Sequence, residues 1–208
     1  MLVAVGGIDG AGKTTLVANV GAALGARQLS VAQVKVALFA NRAFQRYKPT
    51  LKWVQATNQP AGGWLRAALV VAETLHVIQE EVVPALATHD VVICDRYLEG
   101  TACYLEARRL PGIEYLQALA ATCPVPDLAI LLDVPLETAC RRLVNLGEEP
   151  SPDQVVFLQT MQDLLHSWAR NSGAVVLNGR KSIDELTDVV VDLIVVRSGT
   201  ALSTPAGG

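Results

Sequence analysis

The residues Gly7-Ile8-Asp9-Gly10-Ala11-Gly12-Lys13-Thr14 set three glycines, a lysine and a hydroxyl at the spacing GxxxxGKT. Glycines let successive backbone N–H groups turn inward on a polyphosphate, and a helix opening at the lysine adds its positive end. Lys13 reaches the β- and γ-phosphates, Thr14 offers its hydroxyl to Mg²⁺, and Thr15 follows on the first helical turn. Gly7, Gly10, Ala11, Gly12, Lys13, Thr14 and Thr15 are therefore expected to hold ATP. The pattern says that a nucleoside triphosphate binds and leaves open what is done with it. Asp95 narrows the chemistry. It follows the apolar run VVIC, so its carboxylate is expected at the carboxyl edge of a sheet, where open α/β folds bind ligands. There it either orients Mg²⁺ or its water, or accepts a proton from the attacking group. Arg96 beside it can bridge a transferring and an accepting phosphate. Lys13, Asp95 and Arg96 are the expected catalytic residues, with Thr14 and Asp95 on the metal.

These residues need a sheet to stand on, and the chain supplies short β-branched runs alternating with longer amphipathic stretches. Strands are expected at Leu2–Gly6, Val31–Leu38, Val91–Cys94, Leu128–Asp133 and Ala174–Leu177. Each is nearly continuous in apolar residues, as strands covered on both faces are. Helices are expected at Lys13–Leu24, Trp64–Ala87, Ile113–Ala121, Leu136–Leu146, Gln154–Arg170 and Ile183–Val195, the last opened by a capping box from Ser182 and Glu185. The expected fold class is α/β: one doubly wound five-stranded parallel sheet with a P-loop, over residues 1–197, with 198–208 a flexible tail. The polar stretch Phe39–Gly63 reads as a short helix in a loop or as a substrate-covering insert, and Gly147–Asp153 as a lid.

In order and in detail these motifs resemble the thymidylate kinase family, through GIDGAGKTT at the first strand, VVPALATHDVVICDRY around the third, Tyr104, and PDLAILLDVPLETACRR at the fourth. The resemblance covers roughly residues 1–30 and 64–195. It implies a P-loop fold of the nucleoside-monophosphate-kinase type and Mg²⁺-dependent transfer of the ATP γ-phosphate to a nucleoside monophosphate, dTMP or a modified or non-thymine analogue, by a homodimer. By that resemblance Asp9 bonds the acceptor sugar's 3′-hydroxyl and Arg96 the acceptor's 5′-phosphate. Tyr97 packs on the sugar edge, Tyr104 lines the acceptor pocket, Arg141 lies near the adenine or the lid, and Asn178–Arg180 pass beside the adenine. Asn178 and Arg180 thereby join Arg141 as ATP contacts.

The chain also departs from the family pattern. The Arg-Glu-Pro segment after the second strand is replaced by ALFANRAFQRYKP, which leaves Arg42 or Arg46 to grip the acceptor. Where the family stacks a phenylalanine on thymine and reads the base edge with an arginine, the nearest positions hold Val70 and Thr74; Gly100 and Leu105 stand where the family has Ser and Gln. From Leu143 to Ala169 there is no arginine or lysine, although such cations carry large rate effects in phosphoryl transfer. Arg141, Arg142 or Arg170 are the candidates to reach in. Two other readings therefore stand beside the kinase: a small-molecule or nucleoside kinase using Asp95 or Glu99 as base, and a non-catalytic ATP-binding module. Arg42, Arg46, Lys48, Lys52 and Trp53 read as a phosphate-and-base clamp or as a solvated face with one anchoring tryptophan.

Composition sets the outer limits. The 208 residues are 51% hydrophobic with a formal charge of -3, enough for a core and with no general electrostatic pull toward nucleic acid or an anionic membrane. Cys94, Cys103, Cys123 and Cys140 lack metal or redox spacing and read as small core residues. His76, His89 and His166 are scattered, and Glu80 and Glu81 are expected to face solvent. The first residues have no basic segment before their apolar stretch, and no apolar run reaches the ~18 residues of a spanning helix. A cytoplasmic protein with a small-molecule nucleotide substrate is expected.

Overall fold

Leu2–Gly6 (β1), Val31–Lys35 (β2), Val91–Asp95 (β3), Leu128–Asp133 (β4) and Val175–Asn178 (β5) form one sheet in the order β2-β3-β1-β4-β5. The computed structural model describes residues 1–36 and 60–199. Every pairing is parallel. The strand order reverses beside β1, so the loop after β1 opens at the switch point of the sheet. All five expected strands are present within a residue or so, except that β2 ends at Lys35; Leu38, the expected end, lies outside the described residues.

Alternation along the strands divides the core. Val3, Val5, Val91, Ile93, Leu128 and Ile130 face one layer of helices, with Leu16, Val20 and Leu24 of Lys13–Ala26 (α1). Leu2, Ala4, Val92 and Cys94 face the other, with Val77, Ile78 and Val82. Three of the four cysteines are buried and all are free, and burial pushes the Cys94 and Cys103 thiols up to about 12.

The second layer corrects the expected single helix Trp64–Ala87. Helix α2 begins earlier, at Pro60, and runs to Val77; Ile78–Val82 is one turn of π-helix, and Val83–Thr88 (α3) resumes. Pro84 has no N–H to return to the carbonyl of Glu80, and the wider turn absorbs that loss. Glu80 and Glu81 are exposed, as expected. A further helix, Leu98–Ala107 (α4), stands directly after Asp95-Arg96-Tyr97, where no helix is expected from the sequence. Ile113–Ala120 (α5), Leu136–Asn145 (α6), Pro152–Ser172 (α7) and Ile183–Ser198 (α8) complete the chain.

The expected capping box opens α8: Ser182 Oγ accepts from the Glu185 amide at 3.2 Å, and Glu185 Oε2 accepts from the Ser182 amide at 3.0 Å. A second, Ser151 with Gln154, opens α7. Gly199 closes α8 in the left-handed conformation, and the expected tail beyond it lies outside the described residues. Among the described residues no helix is long and apolar enough to cross a membrane. Replacing Ser182 with Ala is expected to lower the melting temperature by about 2–4 °C, since a cap contributes about 1 kcal/mol in a domain of this size; an unchanged melting curve would contradict the role of the box.

Candidate active site

The loop between β1 and α1 is held by its glycines. Gly10 has φ +79°, and a Cβ there would lie 2.4 Å from the carbonyl oxygen of Ala139 on α6, so both backbone angle and space exclude a side chain. Gly12, φ +100°, turns the chain into α1. Lys13 is buried, and its Nζ donates to the Ile8 carbonyl at 2.8 Å, wrapping the loop around the ammonium.

Asp95 reaches this loop from the neighbouring strand, because Val5 and Asp95 are in register across β1 and β3. Thr14 Oγ1 donates to Asp95 Oδ2 at 2.6 Å. The other oxygen, Oδ1, is buried without a hydrogen-bond partner. An orphaned carboxylate oxygen beside a hydroxyl is a donor set of hard oxygens and suits Mg²⁺.

Arg96 is a non-glycine residue at φ +71°, an angle that costs energy and gathers at functional sites. That backbone turns its guanidinium over the loop, where Nη1 donates to the Gly7 carbonyl at 3.2 Å and Nη2 pairs with the Asp9 carboxylate. Burial, reinforced by the neighbouring charge of Arg96, draws the Lys13 ammonium down to about 7. Glu99, the alternative base, lies on the first turn of α4, buried against Gly6 with Oε1 unpartnered. Burial raises its carboxyl to about 7.

A cleft of about 1020 Å³ opens over these groups. Asp9, Gly10, Gly12, Lys13, Thr14, Thr15, Asp95 and Arg96 line it at the sheet edge, and Val70, Gly100, Thr101, Tyr104 and Phe157 line it further out. Ala11 sits just behind, its carbonyl held by Arg142. Asn145, Leu146 and Glu148, at and before the expected lid, also border the cleft.

Several expected contacts lie outside the cleft lining. Tyr97 is 1% exposed, with its hydroxyl donating to the Pro124 carbonyl at 2.8 Å; it is packed in the second core layer and does not reach a sugar in the cleft. Arg141 is exposed and outside the cleft lining. Asn178 and Arg180 are exposed, and the Asn178 side chain accepts from the Arg180 amide at 3.1 Å. Arg170 is likewise exposed. Thr74 lies just behind the cleft wall, bonded to Thr101, and Leu105 is fully buried beneath it. Arg42 and Arg46, with Lys48, Lys52 and Trp53, lie outside the described residues.

The residue that reaches in from α6 is Arg142. It donates to the carbonyls of Ala11 at 2.7 Å and Gly179 at 3.1 Å, tying the loop to the turn after β5. Helical spacing is the signal for it: Ala139 and Leu143 are the buried positions of α6, and Arg142 sits between them while Arg141 turns away. Arg66 is a residue that no motif announces; its Nε donates to the Tyr104 hydroxyl and its guanidinium lies 5.4 Å from that ring centre. Phe157 stands edge-on to Tyr104 with ring centres 5.9 Å apart. His166 pairs with Asp133 at 2.9 Å, and among the described residues no group of three His, Cys, Asp or Glu side chains could hold a metal.

The family model for thymidylate kinase matches residues 5–190. The chain belongs to the thymidylate kinase family. A probable thymidylate kinase from Pyrobaculum calidifontis is 29% identical over 201 residues, covering 93% of this chain and 95% of that protein. A thymidylate kinase from Xanthomonas euvesicatoria pv. vesicatoria is 31% identical over 188 residues, 90% of this chain and 77% of its relative. Another, from Xanthomonas oryzae pv. oryzae, is 34% identical over 151 residues; that match takes in 73% of this chain and 63% of the relative's length. As a member of the thymidylate kinase family the chain is a nucleotide kinase, a phosphotransferase that uses ATP.

Two outcomes follow for this thymidylate kinase family member. Arg142→Ala is expected to weaken ATP binding about tenfold or more, because charged hydrogen bonds to the loop are lost, whereas Arg141→Ala leaves it within about twofold; calorimetric titration of both separates the two arginines. At about pH 8 Lys13 is mostly neutral in the free protein, and polyphosphate oxygens favour its charged form, so ATP binding takes up a proton and weakens as pH rises. Titrations in buffers of different ionisation enthalpy measure this uptake, and zero uptake would contradict it.

Proposed function

We propose that Mg²⁺-ATP binds on the loop from Gly7 to Thr15 and that its γ-phosphate passes to the 5′-phosphate of a nucleoside monophosphate, dTMP or an analogue, held between Arg96 and the outer cleft. The observation that carries this reading is the meeting of Lys13, the Thr14–Asp95 pair and the Arg96–Asp9 pair at one sheet edge in one cleft. An acceptor phosphate oxygen attacks the γ-phosphorus, the bond from that phosphorus to the β–γ bridging oxygen breaks, and ADP leaves with the electron pair. Little covalent help is needed, so positioning and charge do the work.

Lys13 exchanges the Ile8 carbonyl for phosphate oxygens, and the loop amides hold the donor. Arg96 lies between donor and acceptor, releasing Asp9 toward the acceptor sugar. Thr14 Oγ1 and Asp95 Oδ1 are the atoms that would hold Mg²⁺, which when bound neutralises charge on the phosphates. The lining cations Lys13, Lys35, Arg96 and Arg142 take the place of lid arginines, since residues 143–169 carry none. By family resemblance the enzyme works as a homodimer in the cytoplasm.

Acceptor-dependent ADP release from Mg²⁺-ATP, measured over a panel of nucleoside monophosphates and nucleosides, tests this. A signal confined to monophosphates and reduced about 10²-fold or more in Lys13→Ala is expected. ATP binding without any acceptor-dependent release would point instead to an ATP-binding module, and release with nucleosides alone to a hydroxyl acceptor.

A further inference from the structure

Arg96 keeps a left-handed backbone, φ +71°, and a non-glycine residue persists there only where the peptide planes around it are held. On one side the sheet edge does this, since the Arg96 amide donates to the Val5 carbonyl at 3.0 Å. The plane on the other side carries the Tyr97 amide. Tyr97 opens α4 without capping it, because its ring is turned into the core, and the first amides of a helix need an acceptor from outside the helical ladder. Glu99 is the acidic residue of that first turn.

Glu99 is 8% exposed and lies outside the cleft lining, so it acts through another residue and not on a substrate. Its Oε1 has no partner and would lie 3.4 Å from a Cβ on Gly6, next to the Gly7 carbonyl that Arg96 bonds. Burial pushes the carboxyl up to about 7, while the amides of Glu99 and Tyr97, and after them the Arg96 guanidinium, favour its charged form. A buried carboxyl with an orphaned oxygen costs stability, which points to a role in the site over a role in the fold. Resting on the kinase reading above, we propose that Glu99 is a positioning residue: its carboxyl accepts from the Tyr97 amide, fixes the peptide plane after Arg96 and so keeps the guanidinium over the loop, between donor and acceptor phosphates. An apolar side chain of similar size would fill the same space and leave that plane free to turn.

The test compares Glu99→Leu, which fills the space without an acceptor, with Glu99→Gln, which keeps a carbonyl oxygen, in the full chain with Mg²⁺-ATP and whichever monophosphate supports the highest rate. We expect Glu99→Leu to lower kcat about tenfold or more through misplacement of Arg96, with the calorimetric ATP dissociation constant within about threefold of the original. Its melting temperature at about pH 8 is unchanged or raised, since apolar packing replaces a carboxylate without a full set of partners. Glu99→Gln is expected to keep kcat within about threefold of the original chain. In an Arg96→Lys background, which lacks the forked guanidinium, Glu99→Leu costs less than about twofold more, because its route to the reaction is already lost. Full kcat in Glu99→Leu, a lower melting temperature or failure to fold, Glu99→Gln as slow as Glu99→Leu, or additive losses in the Arg96→Lys background overturns the assignment. Any of these alongside acceptor-dependent ADP release from the original chain leaves the kinase standing, whereas the absence of such release from the original chain removes both.

Discussion

Everything in the cleft depends on the contact between the loop at Gly10 and the backbone of Ala139. A loop backbone that must aim its amides at phosphate can do so only if its neighbours are close and its angles unusual, and the 2.4 Å left for a Cβ at Gly10 measures that closeness. Arg142 secures the same approach from the α6 side by bonding the loop carbonyls, and Lys13 closes it from within through Ile8. The loop is thus built before any ligand arrives, and the entropy of ordering it is lost in folding and not in binding.

The sheet turns that loop into an active site. Parallel pairing of β1 with β3 puts Asp95 opposite Val5, so the carboxylate and the Thr14 hydroxyl meet without any long-range adjustment. The left-handed turn at Arg96 then redirects the chain into α4, and that one helix carries Glu99, Thr101 and Tyr104 in succession from the sheet edge outward. In the proposed reading donor chemistry sits on the strand ends, and the outer cleft wall, lined by Val70 of α2 and by Thr101 and Tyr104 of α4, is left for the acceptor.

Much of this is legible in the sequence for physical reasons. The central strands β1, β3 and β4 are nearly continuous apolar runs because helices cover both faces, and the GxxxxGKT spacing has few uses other than a phosphate loop. The thymidylate kinase family is legible for the same reason, since its motifs recur here in order and the family model spans residues 5–190. Helix α4 is not legible: LEGTACYLEA mixes Gly, Thr and Cys, residues of modest helix propensity, and its form is decided by packing of Cys103 and Leu105. The interruption of α2 is readable only from Pro84, and periodicity alone runs straight through it. Tyr97 shows the limit of carrying a role across by motif, for its neighbours Asp95 and Arg96 face the cleft while the ring turns into the core and bonds Pro124. Choosing Arg142 over Arg141 requires the helical phase of α6 and not the motif.

The most direct measurement is a crystal structure with Mg²⁺ and a non-hydrolysable ATP analogue. The account predicts that the backbone from Gly7 to Thr15 moves by less than about 1 Å, as a preformed site does, that Lys13 Nζ passes from the Ile8 carbonyl to phosphate oxygens, and that the metal stands on Thr14 Oγ1 and Asp95 Oδ1. A loop that refolds to admit the triphosphate, or a nucleotide seated away from it, would contradict the claim that this backbone is built in advance for phosphate.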